Sequence, residues 1–150
     1  MTEETSMNKI SDYKFPVDLY YSERHIWAKM EKDGMITLGL TDFASKNIED
    51  IVVIELFLKE DSQIKSNQPF GALDSSKGTN ILYSPISGKI SKRNRKVMMD
   101  PLVIVQKPYT LGWLIKVVPS SFLKEELANL MREGTPEFEK WLKTEIEKFK

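Results

Sequence analysis

The chain contains no cysteine. Disulfide staples, thiolate zinc sites and a cysteine nucleophile are therefore excluded, and any sulfur redox chemistry has to be borrowed. Histidine is almost as scarce: His25 is the single one in 150 residues. No histidine pair can hold a metal, no helix carries an HExxH pattern, and a metal site made of carboxylates alone has no signal in the spacing. Charge of one sign is also lacking, since Lys plus Arg and Asp plus Glu stand at 22 each. No bulk field points to nucleic acid, an acidic membrane or a polyanionic substrate. No apolar run approaches about 18 residues, and the opening "MTEETSMNKISDYKF" lacks the apolar core of a signal peptide. The expectation is a soluble cytoplasmic protein without a membrane or nucleic-acid partner.

Apolar residues make up 41% of the chain, enough for one domain to bury a core without staples. Residues 1–14 lack periodicity and are expected to form a flexible leader, followed by a β domain over 15–119 and helices over 120–150. Asp33-Gly34 is a hairpin-turn pair between two alternating runs, Ile26, Ala28, Met30 and Ile36, Leu38, Leu40. Thr41 is placed to cap a helix of no more than two turns in "TDFASKNIED". The β-branched run Ile51 to Leu58 predicts a strand buried on much of both faces. Further on, turns every eight to twelve residues, a strand near Lys89 to Ser91, a basic loop "KRNRK", an apolar patch broken by Pro101 and a last strand over Gly112 to Val118 give the pattern of a sandwich or barrel.

The pattern then changes period. Ser120-Ser121 can cap a helix whose apolar face carries Phe122 or Leu123, Leu127, Leu130 and Met131, with Gly134 as its C-cap. Thr135 as N-cap and Pro136 at the first helical position start a second helix, with Phe138, Trp141, Leu142, Ile146 and Phe149 at helical spacing. Both apolar stripes are expected to pack on the β domain rather than to form a partner groove.

Few residues can carry chemistry. A triad of His25 with Ser75 or Ser76 lacks the strand-turn-helix elbow that a serine nucleophile needs. Gly71, Gly78 and Gly88 are wrongly spaced for a phosphate loop and are better read as hairpin glycines. What remains is Lys77, in "FGALDSSKGTNILYSPISG". An exposed lysine pairing with Asp74 for at most about 1 kcal/mol is the plain reading. Its placement adds to that: a small polar loop, Asp74-Ser75-Ser76-Lys77-Gly78, between two apolar strands would hold the ammonium where a modifying enzyme can reach it. Acylation there removes a charge at no cost to the fold.

These residues, together with "YYSERHIWAKME", "GLTDFA", "DIVVIEL", "YSPISGKI", "DPLV", "PYTLGWLIKV" and "SSFLKEELANLM", resemble the lipoyl-carrying H protein of the glycine cleavage system over roughly Leu19 to Phe138. The resemblance implies a mainly β fold, a flattened barrel-sandwich hybrid of lipoyl-domain type with a short internal helix and two C-terminal helices. The family's Glu-Ser-Val-Lys turn stands here as Asp74-Ser75-Ser76-Lys77, which implies lipoate in amide linkage to Lys77, with Asp74, Ser75, Ser76 and Gly78 forming the modification turn. A non-catalytic carrier follows. Its implied partners are a lipoate-attachment enzyme, glycine decarboxylase, aminomethyltransferase and dihydrolipoamide dehydrogenase, between which an aminomethyl group is shuttled on a swinging arm. His25, in the family's His-Glu-Trp segment, can line a docking surface for the arm or serve as a satisfied structural histidine.

Several positions depart from the family. Asp74 replaces a glutamate, Ser76-Lys77-Gly78 replaces Val-Lys-Ala, Glu49 replaces a glycine, Phe57 replaces a proline, and Val103 to Thr110 has lost an asparagine and two acids. The stripe past Phe138 is longer than the family's. Because carriers are read through their surfaces, these changes bear on partners more than on fold. They keep two alternatives open: an H-like lipoate-binding paralogue carrying sulfur for a heterodisulfide-reductase-like sulfur-oxidation complex, and an unmodified scaffold or lipoyl relay.

Overall fold

The structure is a computed structural model that describes residues 12–48 and 50–149. Two antiparallel sheets face each other. The larger has strand order β1-β2-β3-β9-β8-β5 and the smaller β4-β6-β7. The larger sheet comprises β1 (Tyr20–Tyr21), β2 (Ile26–Met30), β3 (Ile36–Leu40), β5 (Gln63–Ile64), β8 (Gly88–Arg93) and β9 (Ile115–Pro119). The smaller comprises β4 (Ile51–Glu55), β6 (Pro69–Ser75) and β7 (Gly78–Tyr83). Helices occupy the connections: α1 (Asp42–Asn47), α2 (Arg95–Met99), α3 (Leu102–Gln106), α4 (Leu123–Ala128) and α5 (Pro136–Lys148).

The mainly β sandwich with C-terminal helices is the expected architecture, and it comes from alternation. Ile26, Ala28, Ile36, Leu38 and Leu40 point inward from the first hairpin and meet Ile54, Leu56, Phe70, Leu73 and Leu82 from the smaller sheet. A second cluster lies at the other end. Leu19, Tyr21, Trp27, Phe43, Met131, Phe138 and Leu142 are buried together there, with Tyr13, Phe15 and Trp141 packed against them.

Local signals fix the helix starts. Thr41 Oγ1 accepts from Ala44 N at 3.1 Å, and Thr135 Oγ1 accepts from Phe138 N at 3.2 Å with Pro136 opening the helix.

Other expectations are corrected. Tyr13 and Lys14 do not belong to a free leader: Tyr13 stacks edge-on against Phe43, and Lys14 N donates to Asp42 Oδ2 at 2.9 Å. Residues 1–11, Glu49 and Lys150 lie outside the described residues. Met30 ends β2 in solvent instead of in the core. The run from Ile51 is a strand only to Glu55 and is not buried on both faces, because β4 is an edge strand with Val52 and Val53 exposed. "KRNRK" is not a loop. Lys92 and Arg93 finish β8, and Asn94 Oδ1 then caps α2 by accepting from Lys96 N. The patch around Pro101 is α2 and α3, so three short internal helices stand where one was expected. Ser120 does not cap α4 directly; its Oγ accepts from Phe122 N, and the helix stops at Ala128 rather than at Gly134. Met131 has left the helical face and pairs with Tyr21 through two 2.8 Å backbone bonds. Phe122 and Phe149 are exposed on stripes expected to be buried.

Candidate functional site

The hairpin β6–β7 is anchored from below and open at its tip. Phe70, Leu73 and Leu82 put their side chains into the core. The register brings Ser75 opposite Gly78, which leaves Ser76 and Lys77 as the connecting pair. Both are exposed. Gly78 takes the positive φ of the turn, 132°, where a side chain would be strained. Ser75 Oγ donates to the Gly78 carbonyl at 3.2 Å and accepts from Lys77 N at 3.3 Å.

One strand pair below, Thr79 Oγ1 donates to Asp74 Oδ1 at 2.7 Å across the ladder. Asp74 to Gly78 therefore close a hairpin turn, and Thr79, which sequence reasoning passed over, joins its hydrogen bonds. Its signal was the hairpin register itself, since a residue two past the turn must face Asp74. Ile51 lies opposite Ser75 on β4 and lines a groove of ≈ 350 Å³ with Ile48, Val52, Leu102 and Val105. Ser45, Lys46 and Asp50 complete its lining, so the hollow beside β4 mixes apolar and charged groups.

His25 lies against the C-terminal helix, on Glu145 and Trp141. It is buried, with φ 70°, stacked on Phe43 at 5.2 Å and tilted against Trp141 at 4.7 Å. Nδ1 lies 3.0 Å from Thr41 Oγ1 and Nε2 lies 2.8 Å from Glu145 Oε1. Both ring nitrogens are engaged within the fold, so the ring offers no open nitrogen to a docking arm. Burial pushes its pKa below the ordinary histidine value, against the pull of Glu145. Burial alone would raise Glu145, but hydrogen bonds from Lys148 and His25 hold its carboxyl below the usual carboxylate range. Glu145 follows His25 by 120 residues, and no local pattern could have announced the pair.

Among the described residues no group of three His, Cys, Asp or Glu is placed to hold a metal ion. No helix among them is long and apolar enough to cross a membrane. The chemistry available at the tip is that of a primary amine on a rigid stalk.

A family model described as Glycine cleavage H-protein matches residues 19–145. The chain is 42% identical over 133 residues to the glycine cleavage system H protein of Carboxydothermus hydrogenoformans, covering 88% of this chain and 97% of that one. It is 40% identical over 119 residues to the glycine cleavage system H protein of Bacillus licheniformis, covering 79% and 91%. The crystal structure of a glycine cleavage system H protein from Mycobacterium marinum superposes with TM-score 0.67 at 29% identity, covering 71% of this chain and 87% of that one.

Proposed function

The chain belongs to the glycine cleavage H-protein family, whose members are lipoyl carriers, and from that premise we propose that Lys77 is the residue to which lipoate is attached. One observation carries the assignment: Lys77 stands exposed at the two-residue tip of a hairpin whose base is fixed in the core. The fit to the group is steric and chemical. Ser75, Ser76 and Gly78 are small, and a Cβ added at Gly78 would meet nothing within 4 Å, so an attaching active site can close over the turn. In attachment, the neutral Nζ attacks the carbonyl carbon of a lipoyl group activated as an acyl-adenylate. The C–N bond forms, the C–O bond to AMP breaks, AMP leaves and Nζ gives up a proton.

Lipoate supplies the dithiol–disulfide chemistry that a cysteine-free chain cannot. The chain's own part is to hold the attachment point away from the body through the Asp74–Thr79 bond and the Ser75 contacts. Ile48, Ile51, Val52, Leu102 and Val105, in a groove that Ser45, Lys46 and Asp50 also line, would offer an attached arm apolar contact. The protein then serves as a carrier of an aminomethyl group between glycine decarboxylase, aminomethyltransferase and dihydrolipoamide dehydrogenase, and catalyses no step itself. The sulfur-carrier and relay readings draw no support from the fold or from the relatives' names.

Intact mass after reaction with lipoate, ATP and a lipoate–protein ligase tests the assignment. The wild type gains one lipoyl group and Lys77→Arg gains none while keeping its melting temperature. A lipoyl mass on Lys77→Arg would move the site to another lysine. Glycine–bicarbonate exchange with purified decarboxylase tests the pathway, and lipoylated protein that supports no exchange overturns it.

A further inference from the structure

The chain is neutral overall, but its charges are not evenly spread. From Ile86 to Pro119 the single acid is Asp100, while Lys89, Lys92, Arg93, Arg95, Lys96 and Lys116 fall in the same stretch. Pairing in the larger sheet gathers part of this charge on one face. Lys29 on β2 lies opposite Thr37 on β3, Thr37 opposite Lys116 on β9, and Lys116 opposite Lys92 on β8. Their neighbours along the strands, Ala28, Ile36, Leu38, Ile115 and Val117, point into the core, so this row faces outward. Three lysines thus cross four strands within about 15 Å. Like charges directly opposite each other, as Lys92 and Lys116 are, destabilise a ladder. Among the described residues none of Lys29, Lys92 and Lys116 makes an ion pair that would offset this. Lys116 Nζ lies instead 5.2 Å from the centre of the Trp113 ring. The acid beside the row is already engaged, since Glu31 Oε2 accepts from the Thr37 hydroxyl at 2.6 Å. A local rule broken without a compensating contact points to function.

We propose that the Lys29–Lys116–Lys92 row docks an acidic patch on a protein partner and leaves the β6–β7 hairpin free. Charge complementarity sets the sign of the occupant. Size and surroundings set its class. At the β2 end the row opens into a hollow of ≈ 430 Å³ lined by Lys29, Met30, Glu31, Lys32, Asp33 and Lys116. Two carboxylates there repel a phosphate backbone, whereas a protein surface can answer both signs. Nucleic acid gains its affinity from many phosphate contacts, and three ammoniums on a neutral chain supply few. Trp113 already faces the Lys116 ammonium and is no bare platform for a base. Position then says what the docking is for. The row lies on the outer face of the larger sheet, the hairpin belongs to the smaller one, and the core stands between them. A partner seated on the row therefore holds the carrier in an assembly while other enzymes reach its tip. That use, though not the docking itself, rests on the reading of Lys77 as the attachment site.

The test is a titration of the isotope-labelled chain with a capped octaglutamate peptide at low salt, followed by amide chemical shifts. Shifts should concentrate on Lys29, Thr37, Lys92 and Lys116 and on the Trp113 indole, and should fade as salt is added. Lys92→Gln/Lys116→Gln should raise Kd by about tenfold. Lys124→Gln/Lys143→Gln, on exposed positions of α4 and α5, should leave it unchanged. Lys92→Gln alone removes the cross-strand repulsion and keeps the Trp113 contact, so it should raise the melting temperature at low salt while weakening the peptide by a smaller factor. A lower melting temperature for Lys92→Gln, or shifts scattered over the lysines of both sheets and the helices, overturns the proposal. So does an octathymidylate that binds the row more tightly than the peptide, which would give the face to nucleic acid. Saturating peptide should leave the rate of lipoate attachment at its wild-type value, and blocked attachment would show that the tip is not left free. Lys77→Arg separates the two readings: it should bind the peptide as the wild type does, and a lipoyl mass on that variant beside a localised peptide response sinks the attachment site and leaves the docking face standing.

Discussion

One protonation state of His25 fits all its neighbours. With the proton on Nε2, the ring donates to Glu145 Oε1, Nδ1 accepts from the Thr41 hydroxyl, and Thr41 Oγ1 in turn accepts from Ala44 N. Adding a proton at Nδ1 reverses the Thr41 bond and puts a second charge into a site walled by Phe43 and Trp141. Other charges nearby are Glu145 and Lys148 on α5 and the exposed Glu23 and Arg24 before the ring. The folded-state pKa of His25 lies below its ordinary value of 6.5, so the unfolded chain binds this proton more readily. Stability from this site is therefore complete above about pH 7 and is lost as pH falls through 6.5 and towards the folded value. Glu145, also lowered, adds a loss in the same direction only below its ordinary 4.5. Urea midpoints should fall between about pH 7 and 5 in the wild type. They should stay level over that window in His25→Asn, which tolerates the positive φ and cannot titrate. A wild-type midpoint that rises as pH falls would refute this reading. At this scale the sequence displayed Lys77 and its turn plainly, because a hairpin is a local pattern. It hid the His25–Glu145 pair, since contacts between distant segments leave no periodicity.

Elements were legible where a hydrophobic period or a cap was long enough to see. The Asp33-Gly34 hairpin, the Thr41 cap and the Thr135-Pro136 start all follow from short-range chemistry. α2 and α3 are five residues each, too short for a period, and Asn94 inside a basic stretch was the one cue to the first. β4 misled because a continuous apolar run states strand but not how many faces are covered. Pairing between β2 and β3 has a further requirement visible only in three dimensions. Trp27 lies opposite Gly39, and its indole Nε1 donates to the carbonyls of both Leu40 and Pro108 at 3.1 Å. A Cβ at position 39 would come within 2.4 Å of that ring. Gly39→Ala should therefore displace the indole and lower stability by about 1–3 kcal/mol. A reduced melting temperature and an altered tryptophan fluorescence maximum would report it, and a wild-type melt would show that the ring has room to move.

At the scale of the whole molecule the two clusters divide the work. The first cluster, between the sheets, fixes the base of the β6–β7 hairpin through Phe70, Leu73 and Leu82. The second ties the segment around Phe15 and the helix α5 to the larger sheet: Phe15 meets Tyr21, Phe138 and Trp141 edge-on, Trp141 Nε1 donates to the Glu23 carbonyl, and Leu142 is fully buried. The C-terminal helix thus closes the end of the sandwich that His25 occupies, and its length serves stability there. Truncating either cluster should cost similar stability but have different functional consequences. Leu73→Ala and Leu142→Ala each remove a fully buried leucine and should each cost about 2–5 kcal/mol. Leu73 neighbours Asp74 in the strand that carries the tip, so its loss should also loosen the turn and slow lipoate attachment at a temperature where the variant is still folded. Leu142→Ala should melt earlier yet accept lipoate at the wild-type rate. Equal attachment rates in the two variants, at matched distance below their melting temperatures, would mean that the hairpin's presentation of Lys77 does not depend on the core beneath it.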